Sequence, residues 1–229
     1  MVAWLHLPHS GRPQGTVRAG RIWRETLDGL RFVRHEPLLL AVAGVTALVL
    51  AVYMPIEEVL LPVHFESLDQ PGRLGLTLMA LSGGSIIGAL AHSAFAGRVR
   101  RSAVFRGALL LGAVGVLGMA LLPPFPALVA LAFATGLVYG PIGPLVNLAM
   151  QTRSPEHMRG RIVGVMTATE YAAGPFGFLL VGAATERLGV GSTFVAIGVA
   201  SLGIAALGLA VTTLRQLDHA NPVVHPEHT

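Results

Sequence analysis

Glutamates inside long apolar stretches are the residues of this 229-residue chain best placed to do chemistry. Glu170 is the ninth residue of an apolar block that begins at Ile162, about 13 Å along a helix that rises about 1.5 Å per residue. If that block crosses a bilayer, a charged carboxylate there costs at least about 2.5–3.5 kcal/mol. Glu170 is therefore predicted either to bind a substrate cation or a proton in a wet cavity, or to hydrogen-bond a neighbouring helix. Thr167 and Tyr171 lie beside it.

Glu57 and Glu58 are adjacent near the end of another apolar block. Successive helical residues diverge by about 100°, so the two side chains cannot point the same way. Tyr53 precedes Glu57 by one turn and shares its face. Pro55 and Pro62 favour a kinked or unwound helix end that admits water. The pattern predicts either a gate that attracts cations, with Glu57 in it, or ordinary residues of the outer interface.

Glycine and proline interrupt the same apolar blocks. Tyr139, Gly143 and Asn147 recur at spacings of four, which predicts one polar face on a bent helix that either lines a cavity or is simply closely packed. Glycines four residues apart permit close helix contact, and prolines interrupt backbone hydrogen bonding. The residues predicted to serve packing and kinking are Gly84, Gly88, Gly136, Gly140, Pro141, Pro144, Gly174 and Pro175.

The elements that carry these residues are six apolar blocks, each long enough for a helix to cross about 30 Å of hydrocarbon. They run over residues 37–63, 74–96, 103–122, 125–150, 162–184 and 191–214. Fourteen of the sixteen arginines lie before the first block, in alternate gaps or after the last block. The exceptions are Arg73 and Arg187. This alternation predicts a multi-pass membrane protein with both termini in the cytoplasm.

Composition narrows the function classes. The chain is 53% hydrophobic and only 12% charged, whereas soluble domains average about 25% charged residues. Its basic residues lie in short loops without interleaved aromatic residues, so we expect no nucleic-acid partner. The chain has no cysteine, and its terminal histidines His219, His225 and His228 have no converging acidic ligands, so we expect no metal site. No catalytic or cofactor motif is present, and the sequence predicts neither an enzyme nor a cofactor.

Residues 20–36 differ from the blocks. Ile22, Trp23, Leu27, Leu30 and Val33 recur at helical spacing opposite a basic face. This predicts an amphipathic helix, either at the cytoplasmic interface or as a solvated linker. The predicted organisation is a cytoplasmic linker over 1–36, a six-helix bundle over 37–214 and a polar cytoplasmic tail over 215–229.

Two segments resemble the major facilitator superfamily, especially its bacterial macrolide- and siderophore-exporter branch. The run RETLDGLRFVRHEPLLLAVAGVTAL is similar to the family's central linker and seventh helix. The segment 136–190 resembles helices ten and eleven, through Arg159–Gly160–Arg161 and Gly174–Pro175. The resemblance covers about residues 20–214 and implies an all-α fold that corresponds to the C-terminal six-helix half of a twelve-helix transporter.

Two departures from the family pattern stand out. The loop "AGRVRRSAVFRG" keeps the family's Arg100 and Arg101, with Arg98 nearby, but no acidic residue precedes them. The chain also holds six spans rather than twelve, and nothing before residue 20 is long enough to be a span.

The resemblance implies proton-coupled efflux of small amphipathic compounds across the bacterial inner membrane, by antiport and with multidrug range. The expected partners are lipid, a small-molecule substrate, and an N-terminal six-helix half or a second copy. The candidate pathway residues are Tyr53, Glu57, Tyr139, Asn147, Glu170 and Tyr171. The alternative is a truncated membrane protein that transports nothing and acts as an assembly or regulatory partner.

Overall fold

Nine α-helices make up most of the residues that the structure describes. The computed structural model describes residues 19–95 and 97–219, and for residues 19–25 and His219 it describes only the backbone. The helices are α1 (Ala19–His35), α2 (Pro37–Pro55), α3 (Leu61–Ser67), α4 (Pro71–Ala94), α5 (Arg101–Ala120), α6 (Phe125–Tyr139), α7 (Ile142–Arg153), α8 (Arg159–Leu188) and α9 (Val190–Ala210). No β-sheet occurs in the described residues, so the predicted all-α class is confirmed.

Five helical stretches of the described chain are long and apolar enough to cross a membrane. They are Pro37–Ser67, Pro71–Ala94, Arg101–Ala120, Phe125–Arg153 and Val190–Ala210. The sixth predicted span falls in α8, which has 30 residues but does not meet the same criterion of hydropathy. Its middle carries Thr167, Thr169, Glu170 and Tyr171, and these side chains lower its hydropathy. The sixth span therefore stays a prediction for α8.

Two of the long stretches contain breaks in their α-helical bonding. The chain between α2 and α3 is a π-helical turn, Ile56–Leu60, which holds Glu57 and Glu58. This region is therefore helical throughout, and the disturbance predicted from Pro55 and Pro62 takes the form of a π-helical turn rather than an unwound end. The bend expected from Pro141 does occur, because α6 ends at Tyr139 and α7 begins at Ile142. At the end of α8, Gly189 has a φ of 78°, a backbone conformation that favours glycine.

Helices α4 and α6 pack backbone against backbone. A Cβ atom added at Gly84 or Gly88 would overlap the backbone of Phe133 or Leu137 in α6. A Cβ atom at Gly136 or Gly140 would overlap the backbone of α4 in return. Small residues permit such close approach of membrane helices. The other extensive contacts pair α5 with α9, α2 with α8, and α5 with α6.

One end of the bundle collects α1, the loops before α5 and α8, and the residues after α9; we call it the arginine-rich end. Helix α1 packs on α8, where Gly29 lies against Arg161 and Val165. Val33 is buried in the core, whereas Leu27 and Leu30 are exposed. Helix α1 thus joins the bundle through the Gly29–Val33 side, and its predicted apolar face is only partly covered by protein.

The chain after α9 forms a 3-10 helix, Thr212–His219, which we call the C-terminal segment. Leu214 and Leu217 are fully buried in the core cluster that includes Leu38 and Phe105. The predicted polar tail over 215–229 therefore begins inside a packed element. Predictions for residues 1–18 and 220–229, among them those for His225 and His228, lie outside the described residues, as do the side chains of Ile22, Trp23 and His219.

Candidate functional site

A cleft of about 690 Å³ lies between α2, α4, α7 and α8. Its lining includes all six residues that the sequence singled out as pathway candidates: Tyr53, Glu57, Tyr139, Asn147, Glu170 and Tyr171. They come from α2, the π-helical turn, α6, α7 and α8, which are separated by up to 118 positions of sequence. The fold therefore gathers the polar interruptions of three apolar stretches on one surface.

The floor of the cleft is aromatic. The rings of Tyr53 and Tyr139 meet edge to face, with their centroids 5.1 Å apart and their planes at 79°. Such a pair contributes about 0.5–1.5 kcal/mol beyond the area it buries. The Tyr53 phenol also lies close enough to the carboxyl group of Glu57, one turn later, to interact with it. These contacts hold both tyrosine rings and the Glu57 carboxyl group against the protein.

The π-helical turn separates the two adjacent glutamates. Glu57 is partly buried and lines the cleft, whereas Glu58 is exposed and is not among the lining residues. A π-helical turn places one extra residue in a helical turn, and such turns are frequent at functional sites. The sequence predicted that the two side chains diverge, and the structure assigns Glu57 to the cleft.

Glu170 lies on the opposite wall, on α8. One of its carboxylate oxygens, Oε1, is buried and has no hydrogen-bond partner. The hydroxyl of Thr46, across the cleft on α2, is likewise buried without a partner. A buried polar atom without a partner costs about 1–3 kcal/mol, so these two atoms favour a ligand, a proton or water between the walls. The structural hydrogen bond to a neighbouring helix, which the sequence left open for Glu170, is not formed by Oε1.

The two carboxylates lie at different depths. Helices α2 and α8 both begin at the arginine-rich end, and Glu170 is 11 residues from the start of α8. At about 1.5 Å per residue it lies about 16 Å from that end, whereas Glu57 lies about 30 Å from it. The cleft therefore carries acidic groups near its middle and near its far end.

The rim of the cleft is exposed. Ile86 is 62% exposed and Tyr171 is 63% exposed, and Asn147 and Gly143 also face outward. The floor residues Leu81 and Val146 are buried. The cleft is thus a concave wall that is open on one side.

The charged residues that line the cleft all have the same sign. Two of the described lining residues are acidic, Glu57 and Glu170, and none is arginine or histidine. The remaining lining is apolar or hydroxylated apart from the amide of Asn147, so an amphipathic cation matches this surface in both charge and polarity. Among the described residues, no group of three or more histidine, aspartate or glutamate side chains is arranged to hold a metal ion.

Sequence reasoning missed several lining residues. Thr46, Ser82 and Ser85 line the cleft, but none of them was singled out. Serine and threonine are common in membrane helices, where they hydrogen-bond a carbonyl of the preceding turn, as Thr77 does with Arg73. Their presence alone therefore carries little signal. A weak signal for these residues was available in α4, where Ser82 and Ser85 are three residues apart and share a face.

The predicted kinking residues surround the cleft. Gly174 on α8 lies against Met54 of α2, and Pro175 is inside α8 without ending it. Pro141 lies in the break between α6 and α7, and Pro144 lies in the first turn of α7. The break and the close α2–α8 contact together set the width of the cleft.

The arginine motif lies away from the cleft, at the arginine-rich end. Arg98 lies over the ring of Phe95, 5.8 Å from its centroid, and Arg100 precedes α5. Arg101 is the first residue of α5. None of these three residues lines the cleft.

Comparison with known proteins identifies the class. The family model of the Major Facilitator Superfamily matches residues 39–228. The chain therefore belongs to the Major Facilitator Superfamily, and it is a multi-pass membrane protein of a transporter family, not an enzyme.

Among curated proteins, the chain is 39% identical over 219 residues to the multidrug efflux pump Tap of Mycobacterium tuberculosis. That match covers 96% of the chain and 52% of the pump. It is 37% identical over 220 residues to the Tap pump of Mycolicibacterium fortuitum, covering 96% of the chain and 54% of the pump. The chain spans about half the length of the curated relatives it matches. No solved structure matches it.

Proposed function

We propose that the chain acts as one half of an efflux transporter for small amphipathic cations. The observation that supports this proposal is the cleft. It brings together two carboxylates, three tyrosines and an asparagine, and none of its described lining residues is basic. The similarity to proteins named multidrug efflux pumps supports export rather than import. A concave wall open on one side requires a facing wall, which a second six-helix half or a second copy of the chain supplies.

Each polar residue has a proposed role. Glu170 exchanges a proton for the cationic substrate near the middle of the membrane, where an unpaired charge is most costly. Glu57 attracts the cation near the outer end, and Tyr53 orients its carboxyl group. Tyr139, Tyr171 and Asn147 contact the apolar and polar parts of the substrate.

The proposed setting is the bacterial inner membrane, with both termini in the cytoplasm. The placement of fourteen of the sixteen arginines supports this orientation, because positively charged loops are retained on the cytoplasmic side. In that orientation the arginine-rich end is cytoplasmic. An amphipathic cation then enters the cleft from the cytoplasm or the inner leaflet and leaves at the end near Glu57.

The test reconstitutes the chain with an N-terminal six-helix half in liposomes and imposes a pH gradient. We expect gradient-driven transport of ethidium, a planar amphipathic cation, and its loss in Glu170→Gln. Glu186→Gln is the matched control, since Glu186 is exposed near the end of the same helix and lies outside the cleft. Full gradient dependence in Glu170→Gln would remove the proton role from Glu170. Absence of transport by the unsubstituted assembly, with both halves folded, would leave the non-transporting assembly partner as the function.

A further inference from the structure

Positive charge is concentrated in the loop between α4 and α5 and in the first turns of α5, and no acidic residue lies nearby in sequence. Arg98, Arg100, Arg101 and Arg106 lie within nine positions. Between Asp69 and Glu156 the sequence contains no aspartate or glutamate. A carboxylate that balances this loop therefore has to come from a distant part of the chain.

Asp218, in the C-terminal segment, brings that carboxylate to the start of α5. Its Oδ1 accepts a hydrogen bond from the backbone N–H of Ser102 at 2.9 Å. Its Oδ2 accepts one from the Ser102 hydroxyl at 2.6 Å. The residue at the N-cap position of α5, Arg100, makes no side-chain capping bond. Asp218 thus acts as a remote cap, and its negative charge lies at the positive end of the helix dipole.

The C-terminal segment joins α5 to the cleft wall through two further arginines. Arg106 of α5 donates from Nη2 to the carbonyl oxygen of Val211, the residue immediately before the segment, at 3.1 Å. Arg153, the last residue of α7, donates from Nη2 to the carbonyl oxygen of Gln216 at 3.4 Å. Its Nη1 donates to Oε1 of Glu36 at 3.4 Å. The segment therefore contacts both α5 and the helix that carries Asn147.

Packing makes this connection rigid. Leu214 and Leu217 are fully buried in the same core cluster as Leu145 and Ala149 of α7. Ser154, which follows α7, is also buried. Release of the segment would expose both leucines and remove one of the contacts of Arg153.

We propose that Asp218 is a positioning residue, which clamps the C-terminal segment onto α5 and thereby holds the arginine-rich end of α7 in place. Asp218 does not line the cleft. It acts on α7, which carries part of the cleft wall, through its bonds to Ser102 and through the C-terminal segment. The inference concerns the position of α7 and holds whether or not the proposed transport takes place.

The chain contains no cysteine, which makes it a ready background for thiol labelling. Leu214→Cys reports release of the segment, and the nearly isosteric Ser154→Cys reports opening at the end of α7. In the full chain, purified in lipid nanodiscs, we measure the modification rate of each cysteine with a charged maleimide. In Asp218→Ala we expect both rates to rise about tenfold or more, because charge-assisted hydrogen bonds are lost.

Ser102→Ala keeps the backbone N–H bond to Asp218 and should give a smaller rise. The double variant should label no faster than Asp218→Ala alone, since both substitutions remove one interaction. Glu66→Gln, the same loss of one negative charge at the opposite end of the bundle, should change neither rate. Unchanged rates in Asp218→Ala, or effects of the two substitutions that simply multiply, would overturn the proposal.

A transport readout separates positioning from simple destabilisation. In the assembled transporter, Asp218→Ala should raise the KM of ethidium efflux, because a displaced α7 moves Asn147 in the cleft wall, whereas loss of folded protein alone would lower only the maximal rate. Ser102→Ala, which is expected to fold normally, provides the same readout if Asp218→Ala does not accumulate. A lowered maximal rate with an unchanged KM in both variants would show destabilisation alone and contradict the positioning role.

Discussion

Helices α4 and α6 meet along a line of glycines, whereas the walls of the cleft on α2, α7 and α8 carry polar side chains. In the α4–α6 contact, Gly84, Gly88, Gly136 and Gly140 bring backbone against backbone and leave no room for a Cβ atom. In the cleft, Glu170 and Thr46 each keep a buried oxygen atom without a partner. The α4–α6 contact is completed by packing within the chain and needs no further group. The cleft leaves polar groups that a ligand, a proton or water has to satisfy.

The comparison indicates which residues serve the fold and which serve the ligand. Glycines in the contact give close packing of membrane helices, where the hydrophobic effect between helices is weak. Carboxyl groups in the cleft cost free energy in the folded state and are therefore expected to be functional. Substitutions in the two regions should accordingly separate into effects on stability and effects on transport.

The largest effect on the stability of the fold is expected from Gly84→Ala. Its new Cβ atom would overlap the carbonyl oxygen of Phe133, which is backbone and cannot rotate away. We expect the folded state to lose about 1–3 kcal/mol, as for other overpacked contacts. Thermal unfolding in detergent measures this loss. Gly83→Ala is the control, because a Cβ atom at Gly83 meets nothing within 4 Å. Equal unfolding temperatures for the two variants would show that the α4–α6 contact tolerates separation.

The next effect tests the cleft with two adjacent residues. Glu57→Gln removes the carboxylate proposed to attract the cation, and hydrogen bonds to charged groups contribute about 1.5–3 kcal/mol. Ethidium affinity should therefore fall about ten- to hundredfold, measured by fluorescence titration of the assembled transporter. Glu58→Gln should bind like the unsubstituted protein, because Glu58 lies outside the cleft. Equal losses in both variants would mean that overall charge, rather than the cleft, attracts the cation.

A smaller effect is expected from Tyr53→Phe. The substitution removes the hydroxyl that is proposed to orient the Glu57 carboxyl group but keeps the ring that contacts Tyr139. A single hydrogen bond contributes about 0.5–1.5 kcal/mol, so ethidium affinity should fall about two- to tenfold with little change in unfolding temperature. Tyr53→Ala also removes the ring contact and should lower both. If Tyr53→Phe binds normally, the phenol does not orient Glu57 for the substrate.

The sequence was sufficient to predict the membrane class and to select six polar residues that the structure places in one cleft. A carboxylate or tyrosine in an apolar block is conspicuous because burying it costs free energy, which is why Glu57, Glu170 and Tyr139 could be selected without a structure. The π-helical turn at Ile56–Leu60 was not anticipated. Proline signals a disturbance of the helix but does not specify its form.

Contacts between distant segments could not be predicted from the sequence. Ser102 and Asp218 are 116 residues apart, and neither is unusual in its local context. The partial burial of α1 by α8 depends on Gly29, whose small size is recognisable only when Val165 lies against it. Such pairings arise from tertiary packing, and a periodic pattern of hydrophobic residues does not contain them.

The most direct test of the central claim is protection of Asn147→Cys by substrate. Asn147 is exposed in the cleft wall, and the chain has no other cysteine. In the assembled transporter we expect a charged maleimide to modify this cysteine, and ethidium to slow the reaction in proportion to its occupancy. Glu186→Cys, exposed outside the cleft, should react at the same rate with and without ethidium. Equal rates at Asn147→Cys with and without bound ethidium would contradict the assignment of the cleft as the substrate site.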